Sequence, residues 1–501
     1  MASQYIMAID QGTTGTRVIL FDRGGRIVAS SYEEVEQLYP HPGWVEHEPQ
    51  QYYEGTLRRM RDVLQQVGEP LEAVAAIGIT CQRETTILWD RHTGEPLSNA
   101  IVWMCRRTAG ICEELRAQGL EPAVRKKTGL YIDPYFSGTK IRWILDNVEG
   151  ARAKAESGDV CMGTVDSWLI WKLSGGRSHV TDYSNASRTM LLNIHTLDWE
   201  PELADALGVP LGILPELRPS SGVLAHTDEQ IVGREIPIAG VAGDQHAATF
   251  GQACFEPGMA KNTYGTGLAL MMNIGKSPVL SEHGLTTNLG WHVDNEVDYA
   301  LEGVIFTGGA APQWLRDGIK IVKDVGATEE LATQVENTGG VYFVPAFTGL
   351  CAPYWDMYAR GTIVGITRGT TEQHIARAAL ESIAYQTVDV LEAMKKDSKR
   401  EIEVLRVDGG GAQNRFLMQF QADLARLPIE VPVVTEMAAL GAAYLAGLGV
   451  GFWSSKEELS ENWQVNKRYE PKMSLDEREA LYSAWQLAVE RSRNWARPAG
   501  S

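Results

Sequence analysis

Eight consecutive residues near the start of the chain, Asp10-Gln11-Gly12-Thr13-Thr14-Gly15-Thr16-Arg17, bring together a carboxylate, glycines, hydroxyls and a fixed positive charge. Such a segment can hold a polyphosphate. Glycine lets backbone N–H groups turn toward an anion, Thr13 and Thr14 add hydroxyl donors, Arg17 adds charge, and Asp10 can hold a metal through water. The combination fits the phosphates and Mg²⁺ of ATP, although a hairpin turn with polar decoration would read the same way. The GxxxxGK[ST] of a Walker loop is absent, so the geometry must be of another kind. A second glycine–threonine turn, Gly265-Thr266-Gly267, follows about 250 residues later. Farther on, Asp408-Gly409-Gly410-Gly411 separates a strand-like run from a helix-like one. Bare backbone there can approach an anion or a ribose, but loops between strands and helices also need glycine for geometry alone.

These turns need strands and helices to hold them. Tyr5–Ile9, Arg17–Phe21 and Ile27–Ser31 are β-prone runs joined by turn signals, the pattern of an antiparallel meander. A helix over Gln50–Gln66 and a buried strand over Val74–Thr80 follow. The pattern then restarts. Ile236–Gly243 reads as a buried strand ending at Asp244, and Gly258–Tyr264 and Leu268–Ile274 flank the second turn. Helical spacing covers Thr307–Lys320, Thr371–Lys396 and Asn414–Ala425, with a strand over Ile402–Val407. Alternating strands and helices imply an α/β fold, and the doubled turn implies two related domains facing one another, residues 1–253 and 254–501.

Composition narrows the partners. The 501 residues are 44% hydrophobic and 22% charged, and 46 Lys+Arg against 64 Asp+Glu give a net charge of −18. That balance argues against nucleic acid and anionic membrane surfaces. Met437–Ser455 is uncharged and nearly long enough to span a bilayer, but its glycines and serines favour a buried helix followed by a turn. The N-terminus lacks a signal-peptide pattern, and six cysteines without a CxxC pair read as reduced thiols with no zinc site, so a cytoplasmic location is expected. His41 and His47, in a Pro/Gly-rich loop, read as solvated or hydrogen-bonded imidazoles.

DQGTTGTR after an apolar strand, Arg83-Glu84, Gly243-Asp244-Gln245, NTYGTG and DGGG together resemble the FGGY carbohydrate kinases of the actin, hexokinase and sugar-kinase superfamily. Longer segments carry the resemblance too, among them YFSGTKIRWILDN (135–147), VTDYSNASRTMLLNIHTLDW (180–199) and GITRGTTEQHIARAALESIAYQT (365–387). It implies two ribonuclease-H-like, actin-like ATPase domains with mixed sheets flanked by helices and a cleft between them. It further implies transfer of phosphate from ATP to glycerol, giving sn-glycerol 3-phosphate, in a homodimer or homotetramer. Asp244 would be the catalytic base, although an Asp before a helix can also be its N-cap. Arg83, Glu84, Trp103, Tyr135, Asp244 and Gln245 would bind glycerol; outside this context Arg83-Glu84 would read as a surface ion pair. His246 is expected to pack within the helix. Thr13, Thr14, Arg17, Thr266, Gly309, Gln313, Gly410 and Asn414 would hold ATP, with Mg²⁺ reached from Asp10 through water.

The chain departs from the family pattern at three places near this site: Ala269 stands where an aromatic is usual, Met104 replaces a glutamine and Cys351 a glycine. The first would widen the polyol pocket unless Leu268 or Leu270 fills it, leaving dihydroxyacetone as a side substrate. A pentulose kinase and an actin-like ATP switch are the alternatives. The Gly-rich basic loop with which enteric members bind fructose 1,6-bisphosphate is replaced by the shorter EQIVGREIPI, and the HFYG-type phosphorylation loop is absent. Steady-state assays should therefore show no strong inhibition by that bisphosphate; potent inhibition would refute this reading of the loop.

Overall fold

The computed structural model describes residues 4–496. β1 (Tyr5–Gln11), β2 (Gly15–Phe21) and β3 (Ile27–Glu34) form the expected meander. Helix α1 (Pro49–Val67) leads to β4 (Val74–Cys81), which lies parallel to β1. After a long excursion, β5 (Ser221–His226) and β6 (Pro237–Gly243) complete a mixed sheet in the order β5-β6-β4-β1-β2-β3. β1 and β4 are buried along nearly their whole lengths, which explains their continuous apolar runs. Helix α2 (Asp244–Gly251) follows β6 directly.

The second half repeats this plan. β7 (Ala260–Tyr264), β8 (Leu268–Gly275), β9 (Thr286–Val293) and β10 (Glu296–Ile305) come first. They are followed by α3 (Ala310–Asp317), α4 (Glu372–Ser398), β11 (Leu405–Asp408) and α5 (Arg415–Ala425). Then come β12 (Ile429–Pro432), α6 (Met437–Gly449) and β13 (Val465–Tyr469). The sheet order is β9-β10-β8-β7-β11-β12-β13. In both sheets an antiparallel set of strands continues into two strands parallel to its first: β1, β4 and β6, then β7, β11 and β12; in the second sheet β8 pairs with β10 rather than with β9, so that set is not a meander. Several sequence boundaries were too wide. Residue 402 precedes the strand because pairing with β7 starts at Leu405, opposite Ala260, and the helix expected over Thr307–Lys320 is confined to α3.

The halves are laced together. α6 follows the last parallel strand of the second sheet yet lies across β1, β4 and β6 of the first, while α2 packs against α6 and touches β7 and β8. Small residues make this possible. A Cβ on Gly78 would sit 2.2 Å from the Ala442 carbonyl oxygen, and one on Gly441 only 1.8 Å from that of Ala247. This burial accounts for the uncharged 437–449 run, and no helix among the described residues is long and apolar enough to cross a membrane. The six cysteines are buried and unpaired.

His41 is exposed, whereas His47 is buried with Nδ1 2.5 Å from the Tyr52 hydroxyl. His179 Nε2 lies 2.7 Å from the Met162 carbonyl oxygen. Burial pushes both imidazoles down to about 4. Since the unfolded chain then binds protons first, their contribution is complete above about pH 6.5 and is lost as pH falls toward 4, by up to about 3 kcal/mol each. His179→Gln, which keeps a donor but cannot ionise, should therefore show a smaller fall in Tm between pH 7 and pH 5; an unchanged slope would contradict this assignment.

Candidate active site

Strand register gathers the chemistry at one edge. Asp10, Thr80 and Ala242 align across β1, β4 and β6, followed by Gln11, Cys81 and Gly243. Gly12, the 82–84 segment and Asp244 therefore leave from the same carboxyl ends, where α/β folds collect ligands. The first turn closes with the Gly12 N–H donating to the Gly15 carbonyl at 2.9 Å. Trp103 Nε1 donates to Thr13 Oγ1 at 2.9 Å, and the Trp103 and Tyr135 rings meet edge to face with centroids 5.6 Å apart. The expected phosphate turn and polyol wall thus join at Thr13.

Arg83 and Glu84 are not a surface pair, nor are they paired with each other. Both are buried in an ionic chain spanning the two halves. Arg83 Nε contacts Asp244 Oδ1 at 3.0 Å, and its Nη2 contacts Glu302 Oε1 at 2.6 Å. Arg188 Nη1 contacts Glu302 Oε2 at 2.7 Å, and its Nε contacts Glu84 Oε1 at 2.6 Å. Three carboxylates thus alternate with two guanidiniums. Burial would raise Glu302, but Arg188 and Arg83 hold it well below the usual carboxylate range. At Glu84 burial wins and the carboxyl is raised. Arg188 also donates to Asn288 Oδ1 at 2.6 Å and lies over the Tyr135 and Phe136 rings. The Glu84 backbone has φ 60°, a strained position, and buried Lys140 donates to its carbonyl at 3.4 Å and to that of Phe136 at 3.2 Å.

Asp244 is the first residue of α2; the N-cap is Gly243. Its carboxylate is therefore not that of an N-cap, although it takes one first-turn N–H of the helix. Oδ1 accepts from Arg83 and from the Gln245 N–H at 2.7 Å, and Oδ2 accepts from Gln245 Nε2 at 3.3 Å. The side chain remains 31% exposed. His246 is fully buried in α2, as expected, with both ring nitrogens unpartnered. Nearby, the Asp10 carboxyl is pushed up to about 7, chiefly by burial and then by Asp244, with Arg17 opposing and Glu436 adding. A surplus of negative charge there suits a hard cation. No cluster of three or more metal-ligating side chains occurs among the described residues, so Mg²⁺ would be held largely through water and phosphate oxygens.

The nucleotide-side residues line the facing turns. Thr266 and Gly309 are brought together: the Gly309 N–H donates to the Gly265 carbonyl at 2.9 Å, and the Ala310 N–H to that of Thr266 at 3.0 Å. Gly409 adopts φ 84°, and a Cβ there would lie 2.6 Å from the Tyr264 carbonyl oxygen. Gly410 faces open space, and Thr14, Thr266 and Gln313 are exposed. Two expectations change. Arg17 is ion-paired with Glu436, a residue of the second half, so a phosphate must compete for its charge. Asn414 caps α5, its Oδ1 accepting from the Leu417 N–H at 2.8 Å, which leaves only its amide N–H groups for a ligand. Leu268 and Leu270 are buried in the second-half core, and strand alternation puts Ala269 on the other face, so neither leucine fills the place of the missing aromatic.

Sequence reading missed Arg188, Glu302, Lys140 and Lys261. Their signal was a charge inside an apolar run, as in YALEGVIF around Glu302 and GMAKNTY around Lys261, since such charges persist in a core only when paired.

Comparison with known proteins agrees with this arrangement. Residues 5–251 match the N-terminal domain of the FGGY family of carbohydrate kinases, and residues 260–450 match its C-terminal domain. The chain is 59% identical over 492 residues to glycerol kinase 2 of Thermotoga maritima, covering 98% of this chain and 99% of that one. It is 58% identical over 494 residues to the glycerol kinase of Caldanaerobacter subterraneus, covering 99% of each. The crystal structure of Plasmodium falciparum glycerol kinase with ADP superposes with a TM-score of 0.92 at 37% identity, covering 97% of this chain and 98% of that one. A Lactobacillus acidophilus xylulose kinase, 24% identical with a TM-score of 0.89, shares the fold. With both domain matches in sequence order over most of its length, this chain belongs to the FGGY family of carbohydrate kinases.

Proposed function

We propose that the protein phosphorylates glycerol, with ATP as donor, to give sn-glycerol 3-phosphate. The observation that carries this is the Asp244–Arg83–Glu302–Arg188–Glu84 chain, buried except at Asp244, beside an aromatic wall, in a sequence 59% identical to a glycerol kinase over nearly its whole length. A neutral triol must find both donors and acceptors, because a buried polar group left unmatched costs binding energy. Arg83 supplies donors, Glu84 an acceptor, and Gln245 either; Trp103 and Tyr135 cover the carbon skeleton.

Asp244 accepts the proton of the attacking hydroxyl as that oxygen bonds to the γ-phosphorus and the bond to the ADP oxygen breaks in line. Phosphoryl transfer relies on positioning and charge neutralisation more than on a strong base, so a carboxylate held by Arg83 and Gln245 suffices. Thr13, Thr14 and Thr266 donate to phosphate oxygens, Arg17 does so on releasing Glu436, Gly309 stands with Thr266 at the second turn, and Gln313, Gly410 and Asn414 line the adenosine side. Asp10 would hold Mg²⁺ through water, and the ion would supply further neutralisation of phosphate charge. Closure of residues 1–253 on 254–501 excludes water from the transfer. Six buried free cysteines are compatible with a cytoplasmic location, and a homodimer or homotetramer is what the family resemblance implies.

A coupled assay of ADP release against a polyol panel tests this reading. Glycerol should have the highest kcat/KM. Dihydroxyacetone should be a slower substrate, favoured by the open face at Ala269. Preference for xylulose, or ATP hydrolysis indifferent to polyol, would overturn the assignment.

A further inference from the structure

Lys261, on β7, has no part in the reaction as described, yet it is fully buried beside the base. Strand alternation puts Lys261 and Thr263 on one face of β7, and register places Ala269 of β8 opposite Thr263. All three ammonium protons are used. Nζ donates to Thr263 Oγ1 at 2.9 Å, to the Ala269 carbonyl at 3.1 Å, and across the cleft to Gln245 Oε1 in α2. With its oxygen so held, the Gln245 amide turns its nitrogen to Asp244, where Nε2 donates to Oδ2. On the other side Thr263 lies opposite Asp408, its register partner on β11 and the residue that opens the Gly409–Gly411 turn. Asp408 is held in turn by Gln252 Nε2 at 2.8 Å. One hydrogen-bonded chain therefore runs Thr263–Lys261–Gln245–Asp244, from the strand beside the Gly409–Gly411 turn of the second half to the catalytic base of the first.

We infer that Lys261 is a positioning residue for phosphoryl transfer, fixing the Asp244 carboxylate through the Gln245 amide and tying its placement to the central strands of the second half. The inference rests on Asp244 acting as the base. Burying an ammonium is costly and is sustained only by full hydrogen bonding and nearby carboxylates. Here the groups that satisfy it come from both sides of the cleft, so they are complete only when the two halves are closed. Separation of the halves would take the Gln245 oxygen from Nζ and release the amide that orients Asp244, so alignment of the base would depend on closure.

Lys261→Met removes the charge and all three donors at similar length; Lys261→Gln restores up to two neutral donors and serves if the methionine variant does not fold. For folded Lys261→Met we expect kcat to fall about 10²-fold, the cost of a small misplacement of a reacting group, with the KM for ATP within about threefold of the parent. Loss of the nearby positive charge should also move the acid limb of the kcat–pH profile to higher pH in both variants, a change that simple loss of packing would not produce. Lys261→Gln should recover part of kcat. If Lys261 acts through Gln245, then Lys261→Met combined with Gln245→Ala should be little worse than the more impaired single variant. Multiplying effects would overturn that route, as would a folded Lys261→Met variant with parental kcat and pH profile. Asp244→Asn, assayed alongside, separates the two claims: an active Asp244→Asn enzyme defeats the base assignment, whereas an inactive one beside an unimpaired Lys261→Met defeats only the role of Lys261.

Discussion

Asp244→Asn should lower kcat by about 10²-fold or more, within the usual worth of a positioned general base, while glycerol binding measured by calorimetry stays within about threefold. The asparagine can still accept from Arg83 Nε and from the Gln245 N–H through Oδ1, the two bonds that set the side chain in place. It cannot take the proton of an attacking hydroxyl. Because Asp244 is not the N-cap of α2, the change removes no cap, and Tm should move little. A variant with kcat within threefold of the parent would sink the base assignment. One that lost glycerol binding and kept kcat would make Asp244 a binding residue only.

Glu302→Gln should be the more damaging change to the folded state. Among the described residues, Glu302 is the single carboxylate that touches both buried guanidiniums. Neutralising it leaves Arg83 and Arg188 facing only Asp244 and Glu84, one on each side. Breaking a buried ion pair by altering one partner typically costs about 3–5 kcal/mol, since the remaining charge stays buried without compensation. Tm should therefore fall clearly, and in the fraction that folds the KM for glycerol should rise, because Arg83 loses the contact that aims it. Removing an exposed partner gives the contrast: Arg23→Gln, which breaks the surface pair with Glu458 at 3.2 Å, should cost no more than about 1 kcal/mol. Equal Tm values for Glu302→Gln and the parent would show that the chain is not the keystone described here.

Much of the plan was legible in the residues because it is local. A β-prone run followed by a glycine–threonine turn identifies itself within eight residues, and its recurrence after Gly258 disclosed the doubled sheet. The carboxyl-end placement of Asp244 followed from an apolar run meeting a helix-like one. What stayed hidden depended on distant partners. Arg17 meets Glu436, and Arg188 meets Glu302, only because the halves face each other. Nor could the uncharged 437–449 run disclose that it lies on the first sheet, since burial erases the polar stripe by which a helix face is oriented.

Residue types and their spacing were thus enough to settle the α/β class, the two glycine–threonine turns and the family resemblance, because backbone freedom, strand propensity and turn chemistry act over a few residues. Only the tertiary structure decided how Arg83 and Glu84 are used, that Arg188, Glu302 and Lys261 support them, and that Arg17 already has a carboxylate partner. Buried charges are tolerated only as satisfied sets, and membership of such a set depends on which strands and helices meet across the cleft.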